Sequence, residues 1–151
     1  MTDRYFDDFR VGERFVSRGI TFTESAIMDF AQRYDPQPFH LDAEAAAESL
    51  YGGIIASGFQ TLALAFRVFY DEGLIARCSL GSPGLEDLRW LAPVRPGDTV
   101  HAEVEVLETR ASRSRTDRGF VKLAFAAVNQ RGETVMTFLP TIMLARRAAP
   151  D

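Results

Sequence analysis

The stretch Leu62-Ala63-Leu64-Ala65-Phe66-Arg67-Val68-Phe69-Tyr70 decides the fold, because every residue in it except Arg67 is apolar or aromatic. The pattern predicts a long helix starting at Ser57-Gly58, and a helix apolar on nearly all sides must be covered on nearly all sides. The run falls far short of the ~20 apolar residues a membrane-spanning helix needs. The cover therefore has to be protein, and the flanking sequence has to supply it.

Downstream of Gly73 the chain reads as strands separated by turn chemistry. Leu85 to Leu91 is the first. Val100, Ala102, Val104 and Val106 then alternate with His101, Glu103 and Glu105, the period of two of a strand with one buried face, and Val121, Leu123, Phe125 and Ala127 repeat it. Asn129-Gln130-Arg131-Gly132 reads as a hairpin connection to a last strand, Thr134 to Ala145, whose Pro140 predicts an edge position or a bulge. Upstream, Glu13 to Thr21 has strand character, and Thr23 offers a hydroxyl cap for a helix through Ala26, Ile27, Phe30 and Ala31. Asp42 can cap a short alanine-rich helix, Ala43 to Ser49, which Tyr51-Gly52-Gly53 ends. One early strand, then helices, then four strands is an α+β order, satisfied by an antiparallel sheet wrapped around a long central helix.

A chain of 151 residues, 46% of them hydrophobic, suffices for one buried core and is short for two, so residues 1–151 read as a single domain. The net charge of −4 provides no basic field for a nucleic acid or an anionic membrane. Cys78 is the only cysteine, which excludes an internal disulfide and fits a reducing compartment. The acidic N-terminus, Met1 to Asp8, resembles neither a signal nor a transit peptide, and the expected location is cytoplasmic. Two histidines about sixty positions apart lack the short ligand spacings of a zinc site, so no metal is expected.

Chemistry concentrates in Asp35-Pro36-Gln37-Pro38-Phe39-His40, where a carboxylate and one of two histidines stand five positions apart. The prolines end the preceding helix at Tyr34 or Asp35 and predict an irregular loop. Fully extended, five residues would hold the two side chains ~16 Å apart, so an acid/base pair forms only if the loop curls. The same residues also fit a plain turn opener and a half-buried, hydrogen-bonded histidine. His101 sits on a strand between inward-facing Val100 and Ala102, and is expected to face solvent or a subunit interface.

With these elements placed, the chain resembles the hot-dog fold and, within it, the MaoC-like family of (R)-specific enoyl-CoA hydratases and 3-hydroxyacyl-thioester dehydratases. Three segments carry the likeness: Tyr34 to Asp42, similar to the family's Asp-x4-His motif; Gly53 to Phe59, similar to the lead-in to its central helix; and Trp90 to Asp98, similar to its aromatic, Pro-Val, Gly-Asp turn. The resemblance implies that Asp35 and His40 grip one water and act as the catalytic pair. It also implies that the backbone N–H of Gly58, with Ser57 beside it, faces the thioester oxygen. No cofactor is implied beyond the coenzyme A or carrier protein of the substrate, and the expected partner is a second copy of the chain, with a homodimer as the minimal assembly.

Two departures from the family pattern bear on the substrate. Ser57-Gly58 stands where His-Gly is common, and Phe66 where better-known hydratases can carry a serine. Ser57 also suits a simple helix cap. Arg110, Arg113, Arg115 and Arg118 flank the loop from Ser112 to Gly119 and read as a solvated turn, with coenzyme A phosphates as the functional alternative. A hot-dog thioesterase would share the fold and commonly place an acidic residue early on the central helix, but Phe59 to Val68 contains none. A non-catalytic acyl-thioester-binding subunit is the other alternative.

Overall fold

The computed structural model describes residues 4–148, so the first three residues of the acidic N-terminal stretch lie outside it. A 3-10 turn, Phe6–Asp8, precedes strands β1 (Arg14–Val16) and β2 (Ile20–Thr21). Helices α1 (Glu24–Tyr34), α2 (Pro38–Leu41), α3 (Ala43–Glu48) and α4 (Gly58–Tyr70) follow, then strands β3 (Gly84–Trp90), β4 (Thr99–Ala111), β5 (Arg118–Val128) and β6 (Thr134–Ala145). The antiparallel sheet runs β1-β4-β5-β6-β3, with β2 also paired to β4, and α4 is its long helix: a hot-dog arrangement.

The alternation in β4 and β5 sets the register and the core. Val104 lies opposite Phe125, and Phe125 opposite Phe138, so one sheet face is a continuous apolar layer. Phe125 stacks on Phe138 at 4.6 Å and meets Phe69 of α4 edge-on at 5.0 Å, joining helix to sheet.

Four expectations need correction. The early strand is split into β1 and β2, because Ser17 inserts its side chain into the ladder, Oγ accepting from Ala102 N–H at 2.8 Å. Pro140 is on neither an edge strand nor a bulge of β6: β6 lies between β5 and β3. Its missing N–H coincides with a gap in the β5 pairing between Phe125↔Phe138 and Lys122↔Thr141. The segment after Asp35 is not wholly irregular, since Pro38 opens the one-turn helix α2 from its first position, where a helix has no use for that N–H. Finally, α4 is covered on one side only within the chain. Thr61, Ala65 and Val68 are buried, whereas Phe59, Ala63, Phe66 and Tyr70, spaced i, i+4, i+7, i+11, form an exposed stripe on the opposite side. Among the described residues no helix is long and apolar enough to cross a membrane.

Candidate active site

The three segments singled out in the sequence converge at the start of α4. Thr23 Oγ1 caps α1 by accepting from Ala26 N–H at 3.1 Å, and that helix runs until Asp35, whose N–H still reaches Ala31 O at 2.9 Å while Pro36 prevents another turn. Pro36 and Gln37 reverse the chain into α2, and Asp42 stops α2 and caps α3 through Glu44 and Ala45 N–H. His40 is thereby carried back against Asp35. Its Nε2 lies 3.2 Å from Asp35 Oδ2, with both side chains almost wholly buried.

The lead-in to α4 supplies the floor. Ile55 O lies 2.7 Å from His40 Nδ1. A carbonyl can only accept, so Nδ1 carries a proton, and Nε2 is the ring nitrogen left to exchange one. Ser57 is fully buried, and its hydroxyl works in both directions: Oγ accepts from Phe59 N–H at 3.2 Å and donates to Asp35 Oδ2 at 2.7 Å. Its single proton is thus committed to Asp35 rather than presented to the cavity. Gln37 Nε2 donates to Asp35 Oδ1 at 2.7 Å, so each carboxylate oxygen has a donor. Burial pushes the Asp35 pKa up, but the hydrogen bonds from Ser57 and Gln37 and the proximity of His40 outweigh it, and the net pKa falls below the usual 3.8.

Gly58 is the first residue of α4. The next amides are already taken, Phe59 by Ser57 Oγ, and Gln60 and Thr61 by Ser57 O at 3.0 and 3.1 Å. Among the described residues this leaves Gly58 N–H as the open donor of the turn, at the positive end of the helix dipole. The third segment closes over this end. Ala56 N–H donates to Val94 O at 2.8 Å, and Trp90 Nε1–H donates to Gly58 O at 3.0 Å. Glycine is required here for a specific reason, since a Cβ would come within 2.4 Å of the Trp90 ring. Asp98 belongs to the supporting turn rather than the site: it accepts from Arg95 N–H, Gln130 and Arg131, while Gly97 takes φ +89°.

Asp35, His40 and Gly58 line a cavity of about 510 Å³, walled by Phe39, Tyr51, Phe59, Trp90 and Leu91. Such a site can hold an apolar ligand with one oxygen on a fixed amide and present it to a carboxylate–imidazole pair. Other candidates lie elsewhere. His101 pairs with Glu103 on β4, Phe66 is on the outer stripe of α4, and Arg118 pairs with Asp117 while Arg110 covers the Phe120 ring. None of these lines the cavity. Sequence reasoning missed Gln37, although its place between two prolines beside Asp35 was a signal. It also missed Ile55 O, a backbone group that leaves no trace in residue identity.

Comparison with known proteins gives the same frame. Residues 8–127 match the MaoC like domain. A solved structure of a MaoC-like dehydratase from Rhodospirillum rubrum superimposes with a TM-score of 0.90 and 42% identity, covering 97% of this chain and 99% of that one. The uncharacterized protein YdeM of Bacillus subtilis is 30% identical over 140 residues, covering 93% of this chain and 98% of its own. A mesaconyl-CoA hydratase from Cereibacter sphaeroides is 29% identical over 97% of this chain, which spans only 43% of that protein.

Proposed function

The chain belongs to the MaoC-like domain family, and from that premise we propose that it interconverts a 2-enoyl thioester and the corresponding 3-hydroxyacyl thioester by adding or eliminating water. Relatives of this family include hydratases and dehydratases. The observation that carries the reading is the buried Asp35–His40 pair at 3.2 Å, in one cavity with the open Gly58 amide.

The thioester oxygen accepts from Gly58 N–H, where the helix terminus stabilises the negative charge that develops on it as the double bond is attacked. A water between Asp35 and His40 loses a proton to the pair as its oxygen bonds to C3, and a proton is delivered to C2; elimination reverses each step. Both groups adjoin the same position and lie 3.2 Å from one another, so base and acid are assigned to the pair rather than to either residue. Ser57 and Gln37 hold the carboxylate in place. The reaction as written requires no group beyond the coenzyme A or carrier of the substrate. Residues 1–151 act as one domain in this reading.

The working unit is a homodimer. The stripe containing Phe59, Phe66 and Tyr70 is 60%, 41% and 40% exposed, and Trp90 and Leu91 add apolar surface beside it. A patch of this kind marks an interaction surface, and a self-complementary two-fold contact is the commonest way to close one. Light scattering at micromolar concentration should give twice the chain mass, with Phe66→Glu shifting it towards the monomer; monomer mass for the parent contradicts the dimer. For the reaction itself, incubation with crotonyl-CoA should yield a product heavier by one water, with the thioester intact. Release of free coenzyme A instead would mean a thioesterase.

A further inference from the structure

None of the arginines flanking the β4–β5 loop lines the cavity, but another arginine lies against its rim. Tyr51 on one side and Pro93 and Val94 on the other are part of the wall, and Arg95 bridges these two segments, its Nη2 donating to Tyr51 O at 2.7 Å. Its Nη1 sits over Gly53, where a side-chain carbon would stand 3.6 Å away. The Tyr51 ring packs on Phe39 at 5.3 Å, and Phe39 meets His40 at 4.6 Å, so the segment that anchors the cation is continuous with the one that carries the reactive pair. Among the described residues no carboxylate pairs with this guanidinium. Asp98, the acid of the same turn, is spent on Arg95 N–H, Gln130 and Arg131. A guanidinium offers five N–H donors in a rigid fork. Arg95 is exposed, and the structure commits one of those donors, to Tyr51 O, so the others are within reach of a ligand.

On the reading that this cavity is the thioester site, we propose that Arg95 is a substrate-binding residue, the rim contact for an oxyanion group carried by the thioester. The bond to Tyr51 O already orders the side chain, so an anion at the rim gains a charge-assisted contact without immobilising a free arginine. Two parts of such a substrate supply that chemistry, a phosphate of the carrier arm and a carboxylate on the acyl group, and the same fork meets either. A thioester that lacks both gains nothing from it.

Saturated thioesters of one chain length test this by calorimetry, without turnover: pentanoyl-pantetheine has neither anion, pentanoyl-CoA adds the phosphates and glutaryl-CoA adds a carboxylate. If the anion is a phosphate, Arg95→Gln should weaken both coenzyme A thioesters at least ~10-fold and leave pentanoyl-pantetheine within about twofold. If it is the carboxylate, only glutaryl-CoA should weaken by that factor. Arg95→Lys, which keeps the charge, should recover part of the loss, and parent affinity for the affected ligand should fall as salt rises. Arg113→Gln, in the β4–β5 loop, should bind all three as the parent does. Equal weakening of all three would make Arg95 a brace for the rim and overturn the proposal. Unchanged binding by Arg95→Gln, or binding of none of the three by the parent, overturns it too. Binding that depends on Arg95 in a chain that leaves crotonyl-CoA unhydrated sinks the hydratase reading and leaves this contact standing. Hydration of crotonyl-CoA alongside unchanged binding by Arg95→Gln does the reverse.

Discussion

Asp35 and His40 meet at 3.2 Å, and His101 and Glu103 meet at 3.1 Å. The separations are nearly equal and the surroundings opposite. The side chains of the first pair are 11% and 4% exposed; those of the second are 28% and 53% exposed, two residues apart on one strand. Around Asp35 and His40 further hydrogen bonds fix both groups: Gln37 and Ser57 on the carboxylate, Ile55 O on the ring. Around His101 and Glu103 water competes for the same valences and the interaction is worth little. Distance alone does not identify a reactive pair. Burial, fixed partners and an adjoining cavity with an open amide separate the first pair from the second, and the role proposed for Asp35 and His40 rests on them.

The largest expected effect removes one member of each pair in turn. Asp35→Asn and His40→Gln should each lower hydration by at least ~100-fold, as loss of a general acid/base does. His101→Gln and Glu103→Gln should stay within about twofold.

Next comes the frame around the buried pair. Ser57→Ala deletes a hydrogen bond to a charged group, so turnover should fall by about 10-fold, with Ser57→Thr restoring part of it. The pH dependence gives the sign. The carboxylate of Asp35 is held below its ordinary value, so its contribution to stability is present above about 3.8 and is lost as pH falls through the folded-state value. Losing the Ser57 bond raises that value. The acid limb of the rate profile and the acid-unfolding midpoint should therefore both move to higher pH in Ser57→Ala. An unmoved profile in a folded variant would mean that Ser57 is only a helix cap.

The smallest effect belongs to the exposed pair. Glu103→Gln should change unfolding free energy by less than about 1 kcal/mol, read from urea denaturation, and the difference should shrink further in high salt.

Much of this contrast was legible in the sequence, and the part that was not has physical causes. The period-two alternation in β4 and β5, the caps at Thr23, Asp42 and Ser57, and the proline break after Asp35 are local signals, and each reappears in the structure. Residue type also singled out Asp35 and His40, but five positions of sequence do not specify whether two side chains meet. That depends on Pro38 starting a helical turn and on Ile55 arriving from another segment. The hydrophobicity of α4 predicts all-round burial, because composition cannot distinguish a core face from an exposed one. Its inner stripe packs on the sheet and its outer stripe stays exposed. Ser57 fits a substrate contact or a cap by residue type alone; its bond to Asp35 depends on two segments 22 positions apart meeting in the fold.

The most direct test of the central claim is loss of enoyl-thioester absorbance with crotonyl-CoA, measured side by side for the parent, Asp35→Asn, His40→Gln and His101→Gln. The parent should turn over, with at least ~100-fold loss in the first two variants and near-parent rates in the third. A folded parent inert towards this and a longer 2-enoyl-CoA, or Asp35→Asn and His40→Gln variants as active as the parent, would contradict that claim.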